Sequence, residues 1–268
     1  MTEVSEAVDT AFRADVTDSV LRLTLTRASK GNALRQQDCA DLRDQIGAVD
    51  GSSVRAILIR AEGKVFCAGA DLVSANEGGS RPRVGHLARG LESGPHGLIS
   101  AIWNCPVPTV SVVQGKALGL GLHVAIACDF TIAGSNASFA EPFCKRGFSA
   151  DSGGTFLLPR LIGLRRARQM LFRGISVSAD TAKEWGLIDE VVESDALDLV
   201  STNLVAELAQ GPTYSLEHTK NLLNAASEDI EEALTREATS VEATVRSADF
   251  KEGIRAFVER RDPVFTGA

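Results

Sequence analysis

Residues 106–130 read PVPTVSVVQGKALGLGLHVAIACDF, and this stretch decides the fold. The apolar, largely β-branched residues 106–113 predict a buried strand, and residues 119–127 predict a helix that the chain enters through glycines. A strand, a glycine-rich turn and a helix in this order are typical of an α/β core.

The same alternation extends outward from this stretch. Asp50-Gly51 is a stop signal that closes a predicted helix between two predicted strands. The segment 73–97 is rich in Gly, Ser and Arg, which predicts a surface loop. From residue 195 the apolar spacing becomes helical, so we divide the chain into an α/β core, 1–195, and a helical region, 196–268. The predicted strands are 19–26, 54–60, 130–133 and 137–139, and the predicted helices are 36–49, 98–103, 196–208, 214–226, 230–245 and 250–258.

Composition excludes several classes of protein. With 268 residues, 44% of them hydrophobic and 24% charged, the chain can build a core and is not a disordered protein. Its net charge of −7 argues against nucleic acid as a partner. The lack of a long apolar run or a signal-peptide pattern predicts a cytoplasmic protein without a membrane partner. The five cysteines are irregularly spaced, so neither a disulfide framework nor a metal site is expected.

Two small-residue segments are candidate binding loops. Gly115–Gly121 lacks the spacing of a P-loop or a dinucleotide fingerprint. It leaves a helix N-terminus that can bind phosphate or the oxyanion of a polarised carbonyl, although such a loop is also compatible with tight packing. The segment 65–72 follows a strand, and its small residues let a ligand approach backbone amides.

Together these segments and several others resemble the crotonase family, also called the enoyl-CoA hydratase/isomerase superfamily. The resemblance implies a spiral of ββα units with a C-terminal α-helical region. It also implies an acyl-CoA thioester as substrate, no separate cofactor, and assembly as a homotrimer or a dimer of trimers. The matching segments are 27–34, 66–72, 106–121, 128–129, 151–155, 182–191 and 253–261.

The resemblance assigns site residues in this chain. The backbone amides of Ala70 and Leu120 would hold the thioester oxygen, and family members usually carry glycine at the latter position. Phe257 and Arg260 would reach the CoA of a neighbouring subunit. The residues expected along the substrate and CoA groove are Lys30, Ala33, Ala68, Ala70, Asp71, Leu72, Gly119, Leu120 and Phe143.

Hydratases of this family use two glutamates to hold and deprotonate one water, and this chain has neither. His123 stands at the first glutamate position and Phe143 at the second. Glu141 could share a face with Phe143 at strand period two, but the family pattern does not use it. An apolar ring at Phe143 should exclude water from this part of the site.

One acid remains, because Asp151 begins the sequence Asp-Ser-Gly-Gly-Thr at 151–155. The block 143–160 resembles the ring-opening isomerases of phenylacetyl-CoA degradation, in which this aspartate is the acid/base. A single carboxylate suits isomerisation, since it can remove a proton from C2 of a 3-enoyl thioester and return it at C4. The alternative is that Asp151 only caps the helix that follows.

His123 also has two interpretations, a packed histidine in an apolar helix or a partner of Asp151. The leading hypothesis is therefore an enoyl-CoA isomerase in which Asp151 acts with the Ala70 and Leu120 amides. The alternatives are a hydratase or acyl-CoA hydrolase that uses His123 and Asp151, and a non-catalytic acyl-CoA binding protein.

Overall fold

A computed structural model describes residues 10–71, 86–147, 149–225 and 230–268. Its nine strands form a six-stranded sheet in the order β1-β2-β3-β4-β6-β9 and a three-stranded sheet in the order β5-β7-β8. The strands are β1 Phe12–Thr17, β2 Val20–Leu25, β3 Ala56–Ala61, β4 Thr109–Val113, β5 Lys116–Leu118, β6 Phe130–Gly134, β7 Ser138–Ala140, β8 Ser176–Ser178 and β9 Glu190–Val192.

Helices surround both sheets. Helices α2 and α3 are joined by a π-helical turn, Glu92–His96, and α5 contains a kink at Gly163, where φ is 73°. The helices are α1 Gln36–Gly47, α2 His86–Leu91, α3 Gly97–Trp103, α4 Leu120–Ile126, α5 Gly154–Arg173, α6 Ala179–Trp185, α7 Leu197–Gln210, α8 Thr213–Asn224, α9 Ile230–Thr244 and α10 Ala248–Glu259. No helix in the described ranges is long and apolar enough to cross a membrane.

The large sheet is parallel except at one edge. Strands β1 and β2 form an antiparallel hairpin around Asp18 and Ser19, both of which have positive φ. The other neighbours pair in parallel, with β3 and β4 in the interior. Every residue of β4 is buried, as expected for a parallel strand that is covered on both faces.

Each face of the large sheet has its own apolar core. The first face packs with α1, α3 and α4 into the main core. The second is covered by α7, whose Leu197, Val205 and Ala209 contact strand residues including Leu58 and Val110. The first helix of the C-terminal region thus covers one face of the large sheet. The division of the chain into two regions at residue 195 stays a prediction.

Helix α8 is fixed to the body of the protein by a partly buried ion pair. The Nζ of Lys220 lies 2.8 Å from a carboxylate oxygen of Asp129, which also accepts hydrogen bonds from the backbone and hydroxyl of Thr109. The lysine is 8% exposed, so this contact joins α8 to the sheet layer.

The structure confirms the predicted α/β core and C-terminal helices. It corrects the loop predicted over 73–97, because residues 86–96 are helical, whereas 72–85 lie outside the described residues. The physical reason is close packing on α1, where a Cβ at Gly94 would lie 2.9 Å from the side chain of Gln36. Glycine therefore serves contact between helices here rather than a loop.

Candidate active site

The small sheet brings the two candidate loops side by side. Residues 67–71 insert between the segment around Leu34 and strand β5. The amide of Leu34 donates to the carbonyl of Gly69 at 2.9 Å, and the amide of Leu118 donates to the carbonyl of Cys67 at 3.0 Å. The first bond joins the first loop to the segment around Leu34, and the second joins the two loops to each other.

Two glycines allow this close approach. A Cβ at Gly121 would lie only 2.3 Å from the carbonyl oxygen of Cys67. A Cβ at Gly69, where φ is +99°, would lie 2.8 Å from the carbonyl oxygen of Leu118. Both distances are below any ordinary Cβ contact, so the loops fit together only with glycine at these positions.

Ala70 and Leu120 both line one small cavity of about 30 Å³. Within the described part of the chain, neither amide donates to a backbone or side-chain acceptor. Leu120 is the first residue of α4, so its amide also lies at the positive end of the helix dipole. This pair of donors can bind a developing oxyanion.

Phe143 and Asp151 complete the same cavity. The Phe143 ring lies 3.4 Å from where a Cβ of Gly119 would be, so it packs over the start of α4. Asp151 is the one carboxylate among the described lining residues, and Arg146 is also in the wall. The predicted residues 70, 119, 120, 143 and 151 are therefore brought together.

The Asp151 side chain does not cap α5. Helix α5 has Gly153 as its N-cap and no capping side-chain hydrogen bond. The carboxylate of Asp151 instead accepts a hydrogen bond of 2.7 Å from the hydroxyl of Ser152. The capping alternative is therefore wrong, and the carboxylate lines the cavity instead.

A larger cavity of about 300 Å³ is lined by Ser152 and Gly153, which directly follow Asp151 in the chain. It lies between α3 and the start of α5. Trp103 and Phe156 meet edge to face in its wall, with ring centroids 5.5 Å apart. This space can accept an apolar group.

His123 forms a buried pair with Glu141 rather than with Asp151. Its Nε2 lies 2.7 Å from Oε1 of Glu141, and both side chains are 0% exposed. Of the two interpretations of His123, this contact favours the packed histidine over a direct partner of Asp151. Sequence reasoning gave Glu141 little weight, and its only signal was the shared strand face with Phe143.

The predicted groove residues lie around the first loop. Ala68 pairs with Gly31 through a backbone hydrogen bond of 2.9 Å, which places it beside Ala33. Lys30 is exposed at the end of a short 3-10 helix, Ala28–Lys30. Leu72 lies outside the described residues.

Asp71 is held by an ion pair inside the protein. Arg27 lies 3.2 Å from its carboxylate and 3.6 Å from that of Asp38, and all three side chains are nearly buried. Arg27 also donates to the carbonyl of Ala33 at 2.8 Å. Asp71 thus fixes the loop that carries the Ala70 amide.

Phe257 and Arg260 lie at the end of α10, away from the cavity residues. Phe257 is 82% exposed, and Arg260 adopts the left-handed conformation that ends the helix. Their contact with the CoA of a neighbouring subunit stays a prediction.

The thiol of Cys67, on the first loop, is buried. Burial raises the pKa of Cys67 to about 12, so its thiol stays protonated. No group of three or more His, Cys, Asp or Glu side chains in the described ranges could hold a metal ion.

Comparisons with known proteins identify the family of this chain. Residues 15–268 match the family model described as enoyl-CoA hydratase/isomerase. The chain is 34% identical over 254 residues to a 1,2-epoxyphenylacetyl-CoA isomerase of Escherichia coli K12, covering 94% of this chain and 97% of that protein. It is 32% identical to an enoyl-CoA hydratase of Alternaria alternata, covering 92% and 83% of the two chains. An enoyl-CoA hydratase structure from Mycobacterium smegmatis superposes with a TM-score of 0.88 at 30% identity, covering 95% of this chain and 98% of the other. The chain belongs to the enoyl-CoA hydratase/isomerase family.

Proposed function

We propose that this protein is an enoyl-CoA isomerase that moves a double bond through an enolate. The observation that carries the proposal is the composition of the small cavity. Two unpaired backbone amides, one carboxylate and one aromatic ring meet there, and no second carboxylate is among the described lining residues. Hydration by the family mechanism needs two.

The chemistry follows from these groups. The Ala70 and Leu120 amides hold the thioester oxygen while Asp151 removes a proton from C2 of a 3-enoyl-CoA. The negative charge moves to the oxygen, where the amides stabilise it, and Asp151 returns the proton at C4. Each donor of this kind is worth about 2.7–4 kcal/mol of barrier. No further cofactor is needed for this proton transfer.

Other features support an acyl-CoA substrate. Ala33, Ala68 and the exposed Lys30 lie along the edge of the first loop, where the CoA would run. The 300 Å³ cavity, whose wall includes Ser152, Trp103 and Phe156, offers space for the acyl group. The relatives include both an isomerase and a hydratase that act on CoA thioesters by name.

We propose further that the protein assembles with copies of itself into a trimer or a dimer of trimers. The last helix carries exposed apolar side chains, which is typical of a surface that is covered in an assembly. In such an assembly Phe257 and Arg260 would complete the CoA site of a neighbour. The exposed apolar residues on or beside this helix are Phe250, Ile254, Phe257, Val258 and Val264.

The test compares wild type with Asp151→Asn on a 3-enoyl-CoA and a 2-enoyl-CoA in ¹⁸O-labelled water, with products followed by mass spectrometry. The wild type should move the double bond without taking up label. Asp151→Asn should lower kcat by about 10²–10⁴, the usual contribution of a general acid/base. Asp15→Asn, which changes an exposed carboxylate on β1, is the matched control.

Other outcomes would support the alternatives. Labelled 3-hydroxyacyl-CoA or labelled free acid would replace the proposal with a hydratase or a hydrolase. Binding of acyl-CoA without turnover would indicate a binding protein. An unchanged rate in Asp151→Asn would contradict the role of this carboxylate.

A further inference from the structure

The buried pair of His123 and Glu141 is costly for the fold. The Nδ1 of His123 and Oε2 of Glu141 have no hydrogen-bond partner among the described residues, and both side chains are 0% exposed. A buried polar atom without a partner costs free energy. Replacing such a pair with apolar residues of similar volume is often neutral or stabilising. The pair therefore needs a role other than stability.

Its location links the main parts of the site. His123 lies on α4, one turn after the Leu120 amide, and Glu141 directly follows β7 and precedes Pro142. A Cβ at Gly154 would lie 2.3 Å from Nε2 of His123, so the imidazole also packs on the first residue of α5. The hydrogen bond to Glu141 fixes the orientation of the imidazole between these elements.

The imidazole supports the ring that closes the cavity. The rings of His123 and Phe143 are nearly parallel, with an angle of 8° and a centroid separation of 6.0 Å. Phe143 lines the cavity that holds Asp151 and the two amides, whereas His123 does not. Phe143 is 7% exposed, so most of its surface is used in packing.

We propose that the His123–Glu141 pair is a positioning unit that holds Phe143 over the cavity and so keeps water away from the enolate. This inference rests on the proposed isomerase function and names what makes the site favour isomerisation over hydration. Neither residue touches the reacting atoms. Their effect is transmitted through the Phe143 ring.

The position of the Phe143 ring would decide between two outcomes for the proton that Asp151 removes. When the ring excludes water, the proton that Asp151 takes from C2 returns to C4 of the same substrate. When water enters, the proton exchanges with solvent, and a 2-enoyl-CoA can add water, with the hydroxyl at C3 and a proton at C2. The ratio of solvent exchange and hydration to isomerisation therefore measures how well the ring is held.

The first test compares Glu141→Ala with Glu141→Gln in deuterated water. The alanine variant removes the acceptor of the imidazole, and the exchange and hydration ratio should rise about three- to tenfold, as expected for the loss of an aromatic contact. Glutamine keeps an acceptor oxygen and should restore the wild-type ratio. A lower kcat with an unchanged ratio in Glu141→Ala would mean that the pair is only structural, and would overturn the proposal.

A double-variant cycle tests whether the effect passes through the ring. Phe143→Ala alone should raise the same ratio, because it opens the cavity directly. Adding Glu141→Ala to Phe143→Ala should then change the ratio little, since the residue being positioned is gone. Full additivity of the two changes would overturn the proposal.

Two further measurements separate this proposal from folding and from the proposed function. The double variant His123→Leu/Glu141→Leu removes both partners at once, which avoids leaving one buried polar group without its partner. It should fold and show the raised ratio, and a wild-type ratio in the folded variant would contradict the proposal.

A crystal structure of Glu141→Ala needs no turnover: a displaced Phe143 ring supports the positioning role, and an unmoved ring refutes it. Wild type that fails to isomerise any enoyl-CoA while the ring is displaced in the variant would refute the proposed function alone.

Discussion

The contact between Gly121 and Cys67 makes a quantitative prediction for Gly121→Ala. The new Cβ would lie 2.3 Å from the carbonyl oxygen of Cys67 and 2.6 Å from its Cβ. Ordinary van der Waals contact begins at 3.4 Å, so the two loops must separate by about 1.1 Å. That movement carries the Leu120 amide away from the Ala70 amide.

The cost should appear mainly in the chemical step. A misplacement of about 1 Å at a reacting centre can lower the rate about 10²-fold. We therefore expect kcat to fall about a hundredfold, which corresponds to about 2.7 kcal/mol of barrier. KM should change little, because the lost interaction is made mostly in the transition state. Overpacking should also lower the free energy of unfolding by about 1–3 kcal/mol, which leaves the variant folded.

The assay follows conversion of a 3-enoyl-CoA to its conjugated isomer by absorbance. Urea denaturation gives the free energy of unfolding in parallel. Gly47→Ala is the control, because a Cβ there meets nothing within 4 Å. A Gly121→Ala variant that keeps kcat within about threefold of wild type would refute the reasoning that this contact sets the distance between the two donors.

Three more predictions concern stability and reactivity. Arg27→Met removes the cation that lies 3.2 Å from the nearly buried carboxylate of Asp71 and should cost about 3–5 kcal/mol of unfolding free energy, measured by urea denaturation. Hydrogen bonds from Arg261 lower the pKa of Glu252 from 4.5 to about 2 in the folded protein. Its stabilising effect should be complete above pH 4.5 and vanish as the pH falls toward 2, so unfolding titrations of wild type and Glu252→Gln should converge at low pH. A thiol reagent should modify exposed Cys144 first and leave Cys67 unmodified in the native state, as read by peptide mass spectrometry, and early labelling of Cys67 would contradict its burial.

The parts of the fold that follow periodic patterns could be predicted from sequence. The buried run before Gln114 and the helical spacing after residue 195 both reflect burial of one face of a regular element. Strand β5 could not be predicted, because its three residues gain their strand pairing from Cys67 and from β7 rather than from their own propensity. Tertiary pairing decides such short segments.

The same limit applies to the site. Ala70 and Leu120 could be placed because the segments that carry them resemble the crotonase family. The pairing of His123 with Glu141 could not, because these residues lie 18 positions apart on a helix and after a strand. The distance between the two side chains depends on how α4 packs against the end of β7, and this packing cannot be predicted from a single sequence.

Under the proposed function, the groups that activate the thioester and the groups that decide the product lie in different parts of the site. The two amides are backbone groups, held by hydrogen bonds within the small sheet and by glycine contacts. Leucine at position 120 is therefore compatible with the same donor as glycine. The groups that we propose decide whether water takes part are Phe143, Asp151 and Glu141, and all lie between the end of β7 and the start of α5. Side chains in this segment can change without moving the amides, so one scaffold can support both isomerases and hydratases. If this division holds, substitutions in residues 141–151 should change the product ratio, whereas substitutions at Gly69 or Gly121 should lower every reaction of the thioester alike.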